Sequence, residues 1–483
     1  VPGHRVPRVR ARMIIEEDTL YSRVASATAH ERAWLYQYLS FDTASTPRQA
    51  EAARARAAEA GRQDAWDGRL HLYNRRYDTL PTGFLRVVQR AAAQASVSIE
   101  ILDKRPQLQP PDLSADTSWL RDYQLAAGMA MLRGQRGVLK APTGSGKTQV
   151  FIALARWLPW ARFGVLVHRA DLMHQAAERY ESITGERAGR LGDSESDIRR
   201  FTVATFQTVA RGVGKGSEQG ALDPWLRGLD AVVIDEVHIL PASSFWKTIM
   251  RARAARFRWG VSGTPFRRGD QRDVLVVAAC GPMLYEIGSN ELIARGLLAR
   301  PEIRMVRVAQ PEVGGSWAEV YERGVVQSTQ RNAAVVRAVL RAKQPALVFV
   351  KAIEHGRLLH KMLSAAGLAV DFVWGSDSTA ARKEAVKRLR RGDLQVLVCS
   401  TIFDVGIDIP EVRACIVASG GKSAIATIQR LGRGMRVVEG KAAMELWDFL
   451  DEGHKWLRRH SRERVRAFQQ EGFDVQRISE AAL

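Results

Sequence analysis

The stretch Ala141-Pro142-Thr143-Gly144-Ser145-Gly146-Lys147-Thr148 sets two glycines, a lysine and a hydroxyl between an apolar run, Gly137–Leu139, and a helical pattern. These residue types at this spacing suit phosphate binding. Glycines let backbone N–H groups turn inward around phosphate oxygens, and the following helix adds the positive end of its dipole. In such a loop Lys147 reaches the β- and γ-phosphates, and the Thr148 hydroxyl holds Mg2+. Thr143, Gly144, Ser145 and Gly146 form the cradle. The first position carries Ala141 where the strict pattern has glycine, but the rest is intact. A second constellation, Asp235-Glu236-Val237-His238, closes the apolar run Ala231–Ile234. An acidic pair at the end of a strand sits where ligands bind in open α/β sheets. There Asp235 is expected to bind Mg2+ through water, and Glu236 to orient and deprotonate an attacking water. An Asp-Glu pair alone reads as a solvated turn. Following a phosphate loop, it implies hydrolysis of a nucleoside triphosphate.

Both constellations must hang from a sheet, and the chain supplies the strands. Over 116–294, short apolar runs alternate with helical patterns: Gly137–Leu139, Phe163–Val167, Phe201–Ala204, Ala231–Ile234 and Arg258–Ser262. Strands at this spacing between helices argue for a parallel sheet covered on both faces. The pattern returns over 295–455, with runs at Ala346–Val350, Val370–Trp374, Val396–Cys399, Cys415–Ala418 and Met444–Phe449. The expected fold class is therefore α/β, two tandem parallel-sheet lobes. Residues 456–483 read as a basic helical tail, either touching nucleic acid or packed on the second lobe. Residues 1–115 read as a small α+β accessory domain. It holds a polar helix over Pro47–Gln63, a hairpin signal at Trp66-Asp67-Gly68, a helix over Thr82–Gln94, a strand over Val97–Leu102 and a Pro-containing linker over Arg105–Ser114.

At 483 residues the chain is too long for one core. Its net charge of +20 favours polyanions, meaning nucleic acid or an anionic membrane surface. No apolar run is long enough to span a membrane, and no basic amphipathic helix has a strong apolar face, so no membrane partner is expected. Val1–Arg12 lacks the apolar stretch of a secretory signal. The excess is spread, +4 over 1–115, +7 over 116–290 and +9 over 291–483, which favours an extended basic surface over a sticky appendage. The three cysteines share no CxxC spacing and read as core residues of a reducing interior.

With these motifs in order, residues 116–450 resemble the superfamily 2 helicases. The resemblance implies two RecA-like lobes, ATP and Mg2+ as cofactors, and a role for each further motif. Leu120-Arg121-Asp122-Tyr123-Gln124 resembles the family's adenine-reading segment, with Arg121 and Gln124 at the nucleotide. Val165–Arg169 and Val203–Thr208 resemble its first-lobe strand contacts, with Arg169, Thr205 and Gln207 on backbone phosphates. Ser262-Gly-Thr264-Pro-Phe-Arg267 resembles the motif coupling the lobes. In the second lobe, Ser400–Pro410 places Thr401 on the strand and Gly406 and Asp408 at the nucleotide. Gln429-Arg-Leu-Gly-Arg433-Gly-Met-Arg436 supplies Gln429 and the two arginines, which reach the γ-phosphate as arginine fingers.

Glu291–Pro301, Arg331-Asn332 and Gly375-Ser376 resemble the branch that contains XPB, UvsW and the restriction subunits. The segment from Trp66 to Phe84 resembles the accessory domain of the UvsW type. This branch implies an ATP-dependent motor on single-stranded and branched DNA, acting on forks, junctions and RNA–DNA loops. A monomer in the cytoplasm of a bacterium or a phage-infected host is the corresponding expectation. A double-strand translocase, an RNA helicase and a non-catalytic binding module on the same fold are the rival readings.

Overall fold

Strand β1 (Met13–Glu17) lies beside β2 (Tyr21–Ser26) and a later β6 (Ile99–Asp103) in a four-stranded sheet, completed by β5 (Thr79–Pro81) beyond β2. The computed structural model describes residues 12–43, 49, 51–55, 67–213, 220–266, 271–400, 409, 411–421 and 443–483. The chain divides into two compact units, 1–140 with 146–286 and 287–483 with 141–145.

In the first unit the alternation of Met13 and Ile15 turns one face of β1 inward, where Val24, Leu80 and Val88 meet it. Helix α1 (Ala29–Tyr38) starts at a reciprocal cap, with Thr28 and Glu31 satisfying each other's N–H groups. Helix α2 (Leu85–Gln94) extends the turn at Thr82–Phe84, as the sequence indicates. Residues 51–55 are helical, and the rest of the helix expected over Pro47–Gln63 lies outside the described residues.

The signal at Asp67-Gly68 was expected to close a hairpin. Gly68 does take a left-handed φ of +90°, but β4 (Arg69–His71) pairs antiparallel with the distant β3 (Ser40–Asp42). The tight reversal comes instead at Asn74, whose side-chain oxygen accepts from the N–H groups of Arg76 and Tyr77.

The first lobe is an eight-stranded sheet in the order β10-β9-β11-β8-β12-β13-β7-β14. The strands are β7 (Arg136–Lys140), β8 (Phe163–Val167), β9 (Gly189–Gly192), β10 (Glu195–Asp197), β11 (Phe201–Thr205), β12 (Ala231–Asp235), β13 (Phe257–Ser262) and β14 (Met283–Glu286). All neighbours are parallel except the β9–β10 hairpin. The central strands are apolar along their length because helices cover both faces. Three of those helices frame the site: α3 (Asp122–Gly134), α4 (Lys147–Trp157) and α5 (Ala170–Thr184).

The accessory domain is welded to this lobe. Helix α6 (Val274–Cys280) contributes Ala278 to the accessory core, and a Cβ at Gly83 would lie 2.1 Å from the Val277 carbonyl oxygen. Thr19 Oγ1 donates to the Arg253 carbonyl at 2.5 Å, and Arg256 Nη1 to the Pro106 carbonyl at 2.9 Å.

In the second unit, β15 (Arg300–Val308), β16 (Ala346–Val350), β17 (Val370–Val373), β18 (Val396–Ser400), β19 (Ala414–Ile416), β20 (Ala443–Asp451) and β21 (Val475–Ser479) form a parallel sheet in the order β17-β18-β16-β19-β20-β15-β21. After 455 the chain packs on the second lobe, one of the two readings its sequence left open. Helix α7 (Lys455–Gln470) buries Leu457, Val465 and Phe468, and β21 adds an edge strand to the sheet. Among the tail's arginines, Arg464 is fully buried and binds Asp448 through Nε and Nη2 at 2.7 and 2.9 Å. Arg331, read as part of an interlobe segment, is likewise core, bound to Asp451 at 2.7 Å and to the Ala418 carbonyl at 2.7 Å. The cysteines Cys280, Cys399 and Cys415 are free and buried.

Candidate active site

Strand β12 runs apolar through Ile234 and delivers Asp235 and Glu236 at its carboxyl end. The chain must leave the sheet there, and Glu236 takes a left-handed conformation, φ +50°, before the turn Val237–Ile239. A non-glycine residue in that region carries strain, and such residues gather at active sites. The neighbouring β13 holds the turn in place. Gly260 leaves only room for Val237, since a Cβ there would lie 2.7 Å from its methyl.

At the end of β13, Ser262 Oγ donates to Glu236 Oε2 at 3.0 Å and accepts from the Thr264 N–H at 3.1 Å. His238 Nδ1 lies 3.2 Å from the same Glu236 oxygen and 3.1 Å from Ser262 Oγ. The acidic motif and the coupling motif are therefore one network. The sequence reading assigned no role to His238. Its position two residues past Glu236, on the same turn, was the available signal.

Lys147 opens α4 directly after Gly146, whose φ is +78°. Its charge acts on both carboxyls. Burial and the neighbouring Glu236 charge push Asp235 up to about 6, against the pull of Lys147. Burial also acts upward on Glu236, but His238, Lys147 and Ser262 outweigh it and hold the group down at about 2. The pair thus divides its roles: Glu236 is firmly ionised, and Asp235 lacks only a cation to become so. That chemistry fits Mg2+ at Asp235. Among the described residues no group of three or more His, Cys, Asp or Glu is placed to hold a metal ion by itself.

Gly144 also has positive φ, +87°, and the Ser145 N–H donates to the Pro142 carbonyl at 3.2 Å. Gln124 is buried against Gly146, where any Cβ would lie 2.3 Å from its Nε2. Its Oε1 accepts from the Arg121 N–H at 2.9 Å, which fixes the start of α3. The structure thus brings Arg121, Gln124 and Lys147 to one end of the lobe.

Arg169 lies just past β8 and Thr205 ends the adjacent β11; both stand at the N-cap position of the next helix, and the Thr205 side chain accepts from the Thr208 N–H. Gln207 Nε2 donates to the His168 carbonyl at 3.0 Å, tying the two ends together. Thr205 is buried, and its hydroxyl is engaged with Thr208 at 2.9 Å. Thr401, Gly406, Asp408, Gln429, Arg433 and Arg436 lie outside the described residues, as does Arg267.

Residues 115–267 match the family described as "Type III restriction enzyme, res subunit", and 330–438 match the "Helicase conserved C-terminal domain". The chain belongs to the superfamily 2 helicases. It is 30% identical over 337 residues to the "DNA 3'-5' helicase XPB" of Mycobacterium tuberculosis, a match covering 68% of this chain and 60% of that protein. It is 22% identical over 426 residues to the "ATP-dependent DNA helicase uvsW" of Enterobacteria phage T4, covering 80% and 82%. Among solved structures, "ATP-dependent Type ISP restriction-modification enzyme LlaBIII bound to DNA" superimposes with a TM-score of 0.58 at 15% identity, covering 81% of this chain and 34% of that one. This likeness shows the fold of the superfamily. The chain spans 50–60% of the length of several curated relatives. No described helix is long and apolar enough to cross a membrane.

Proposed function

We propose that this helicase-family chain hydrolyses ATP and uses the cycle to move along DNA, remodelling branched structures such as forks, junctions and RNA–DNA loops. The observation that carries the reading is the Lys147–Asp235–Glu236 constellation, with Glu236 bound to Ser262 of the coupling motif. Glu236, held ionised and oriented by Ser262 and His238, accepts a proton from the attacking water. Lys147 faces the charge that develops on the transferred phosphoryl group. Thr148 and Asp235 would hold Mg2+, which would supply neutralisation of phosphate charge. Loss of the γ-phosphate alters the charge beside Glu236, and Ser262 transmits that change to the end of β13.

The branched-DNA reading is supported by the uvsW match, which covers 80% of the chain against 68% for XPB. The fifth and sixth motifs complete the proposal: Thr401 on the strand, Gly406 and Asp408 at the nucleotide, and Gln429, Arg433 and Arg436 at the γ-phosphate. Arg169, Thr205 and Gln207 are proposed on the nucleic-acid backbone. Given its engaged hydroxyl, Thr205 would act through its backbone N–H or by ordering the helix it caps. The protein is proposed to work as a monomer in the cytoplasm.

The deciding experiment is ATP turnover titrated with single strands, duplex, forked or four-way DNA and RNA, at two salt concentrations. Phosphate contacts weaken steeply with ionic strength. Stimulation by single strands and forks, lost in Lys147→Ala, is the expected result. Stimulation by intact duplex alone marks a translocase, by RNA alone an RNA helicase. Absence of turnover with all of them overturns the proposal.

A further inference from the structure

Arg136 and Arg258 are register partners on the parallel strands β7 and β13, and both are buried. Their surroundings differ sharply. Arg258 spends its guanidinium on three backbone carbonyls, those of Ala279, Ala252 and Ile249, at 2.9, 2.8 and 3.0 Å. Arg136 donates from Nη2 to the Thr19 carbonyl, while its Nε and Nη1 are buried with no hydrogen-bond partner. Leaving donors of a buried cation unpaired costs more than leaving a neutral group so. The burial and the like charge of Arg258 both press on Arg136, lowering it to about 9.

Arg136 lines a cavity of about 180 Å3 between the accessory sheet and the start of β7. One water needs only about 10–15 Å3 of such space. Arg105 and Arg86 line the same cavity, and the carboxylate among its lining residues is Glu17. Glu17 is already committed to Arg105 at 2.6 Å. Asp103 takes the other side of the Arg105 guanidinium, Nε and Nη2, at 2.8 and 2.7 Å, so the cationic groups of the lining left beside that cluster are Arg136 and Arg86. Gln89 and Gln135 add neutral polar groups to its lining. Planar guanidinium forks match phosphate oxygens.

We propose that this cavity binds a phosphate group, held by Arg136 from below and by Arg86 at the rim. The site is separate from the nucleotide loop. Arg136 opens β7 and the loop follows its far end, roughly 13 Å away at the rise of a strand. The cavity takes a phosphate, not a base and sugar with it, so the group is either free orthophosphate or the terminal phosphate of a DNA strand. Because both the accessory domain and the lobe line it, occupancy stiffens their joint.

The test uses the full chain with ADP saturating the nucleotide loop. Thermal midpoints are compared in phosphate and in chloride at equal ionic strength, and 31P linewidths report binding directly. Phosphate raises the midpoint of the parent protein. Arg86→Gln, an exposed change, weakens phosphate binding roughly tenfold or more. Arg136→Met abolishes the response, and its midpoint in chloride stays at or above the parent's, because an uncompensated buried charge has gone. If Arg136→Met does not fold, Arg86→Gln alone decides. Competition by a 5′-phosphorylated oligonucleotide, beyond that of its unphosphorylated twin, supports the strand end as source; its absence supports the free ion. Equal midpoints in phosphate and chloride, or a full phosphate response in both variants, overturns the site.

Discussion

Ser262 Oγ donates a 3.0 Å hydrogen bond to Glu236 Oε2 across the ends of two adjacent parallel strands. The same hydroxyl accepts from Thr264, so it joins the acidic motif to the chain that leaves β13. Ser262→Ala removes the joint and leaves both strands intact. Nucleic-acid-stimulated ATP turnover is expected to fall roughly ten- to a hundredfold, the scale of one lost charge-assisted hydrogen bond. Nucleotide binding, measured by a fluorescent analogue, is expected to change little. A variant with parent turnover would show that His238 alone positions Glu236.

Asp235 is raised to about 6, so protonation of this carboxyl sets in as pH falls through that value. A bound cation opposes that protonation, so Mg2+ affinity is expected to weaken as pH falls, and the acid limb of turnover to move to lower pH as Mg2+ is raised. The stability sign is opposite. Between the ordinary carboxylate range and pH 6 the folded state binds the extra proton, so this group makes the nucleotide-free protein more stable as pH falls through that window. Asp235→Asn removes the charge, and at pH 7 it is expected to raise the apo protein's stability by about 1–3 kcal/mol while abolishing turnover. Denaturant midpoints with and without Mg2+–ADP check both halves. An apo midpoint no higher than the parent's contradicts the burial argument.

Gly83 has no room for a methyl, because the Val277 and Ala278 carbonyl oxygens would lie 2.1 and 2.6 Å from it. Backbone cannot retreat as a flexible side chain can. Gly83→Ala is expected to cost at least about 1–3 kcal/mol. It is also expected to raise protease sensitivity over Arg105–Ser114 before the motor lobes are cut. Mass spectrometry of early fragments reads this out; parent-like digestion would mean the contact is not structural.

Two buried ion pairs, Arg331–Asp451 and Arg464–Asp448, brace the second sheet. Asp448→Ala leaves Arg464 buried without its partner and is expected to cost about 3–5 kcal/mol. The double change Asp448→Leu with Arg464→Met is expected to recover much of that loss, since the desolvation penalty disappears with the charges. Thermal unfolding of the three proteins tests the pair. Equal losses in the single and double variants would show that packing, not charge, holds α7 to the sheet.

The residues proposed for phosphate chemistry were legible because few side chains can do that work. Lys147 and Thr148 open α4, Asp235 and Glu236 close β12, and the apolar strands around them are buried on both faces. What stayed hidden was ionic and long-range. Strand β15 carries Arg300, Glu302, Arg304 and Arg307, so it does not read as a central strand. Yet Arg304 is ion-paired with Glu302 and Glu445 at 2.9 and 3.2 Å and lies over the Trp447 ring. The tail's arginines read alike, as basic residues of one helix, because a sequence does not announce that Arg464 faces Asp448. The pairing of β3 with β4 escaped for a similar reason: Gly68 does take a left-handed φ, but the partner strand lies far back along the chain.

Helix α6, which seals the accessory core through Ala278, lies far along the chain from the sheet it covers. A ribosome finishing β6 at Asp103 must still deliver about 170 residues before that helix exists, roughly ten to thirty seconds at typical elongation rates. During that interval the accessory core, including Leu85 and Val88 of α2, lacks the cover that Ala278, Val274 and Val277 complete. The nascent chain is therefore at its stickiest before the motor is half made, and helper proteins that shield emerging apolar surface would act on this segment first.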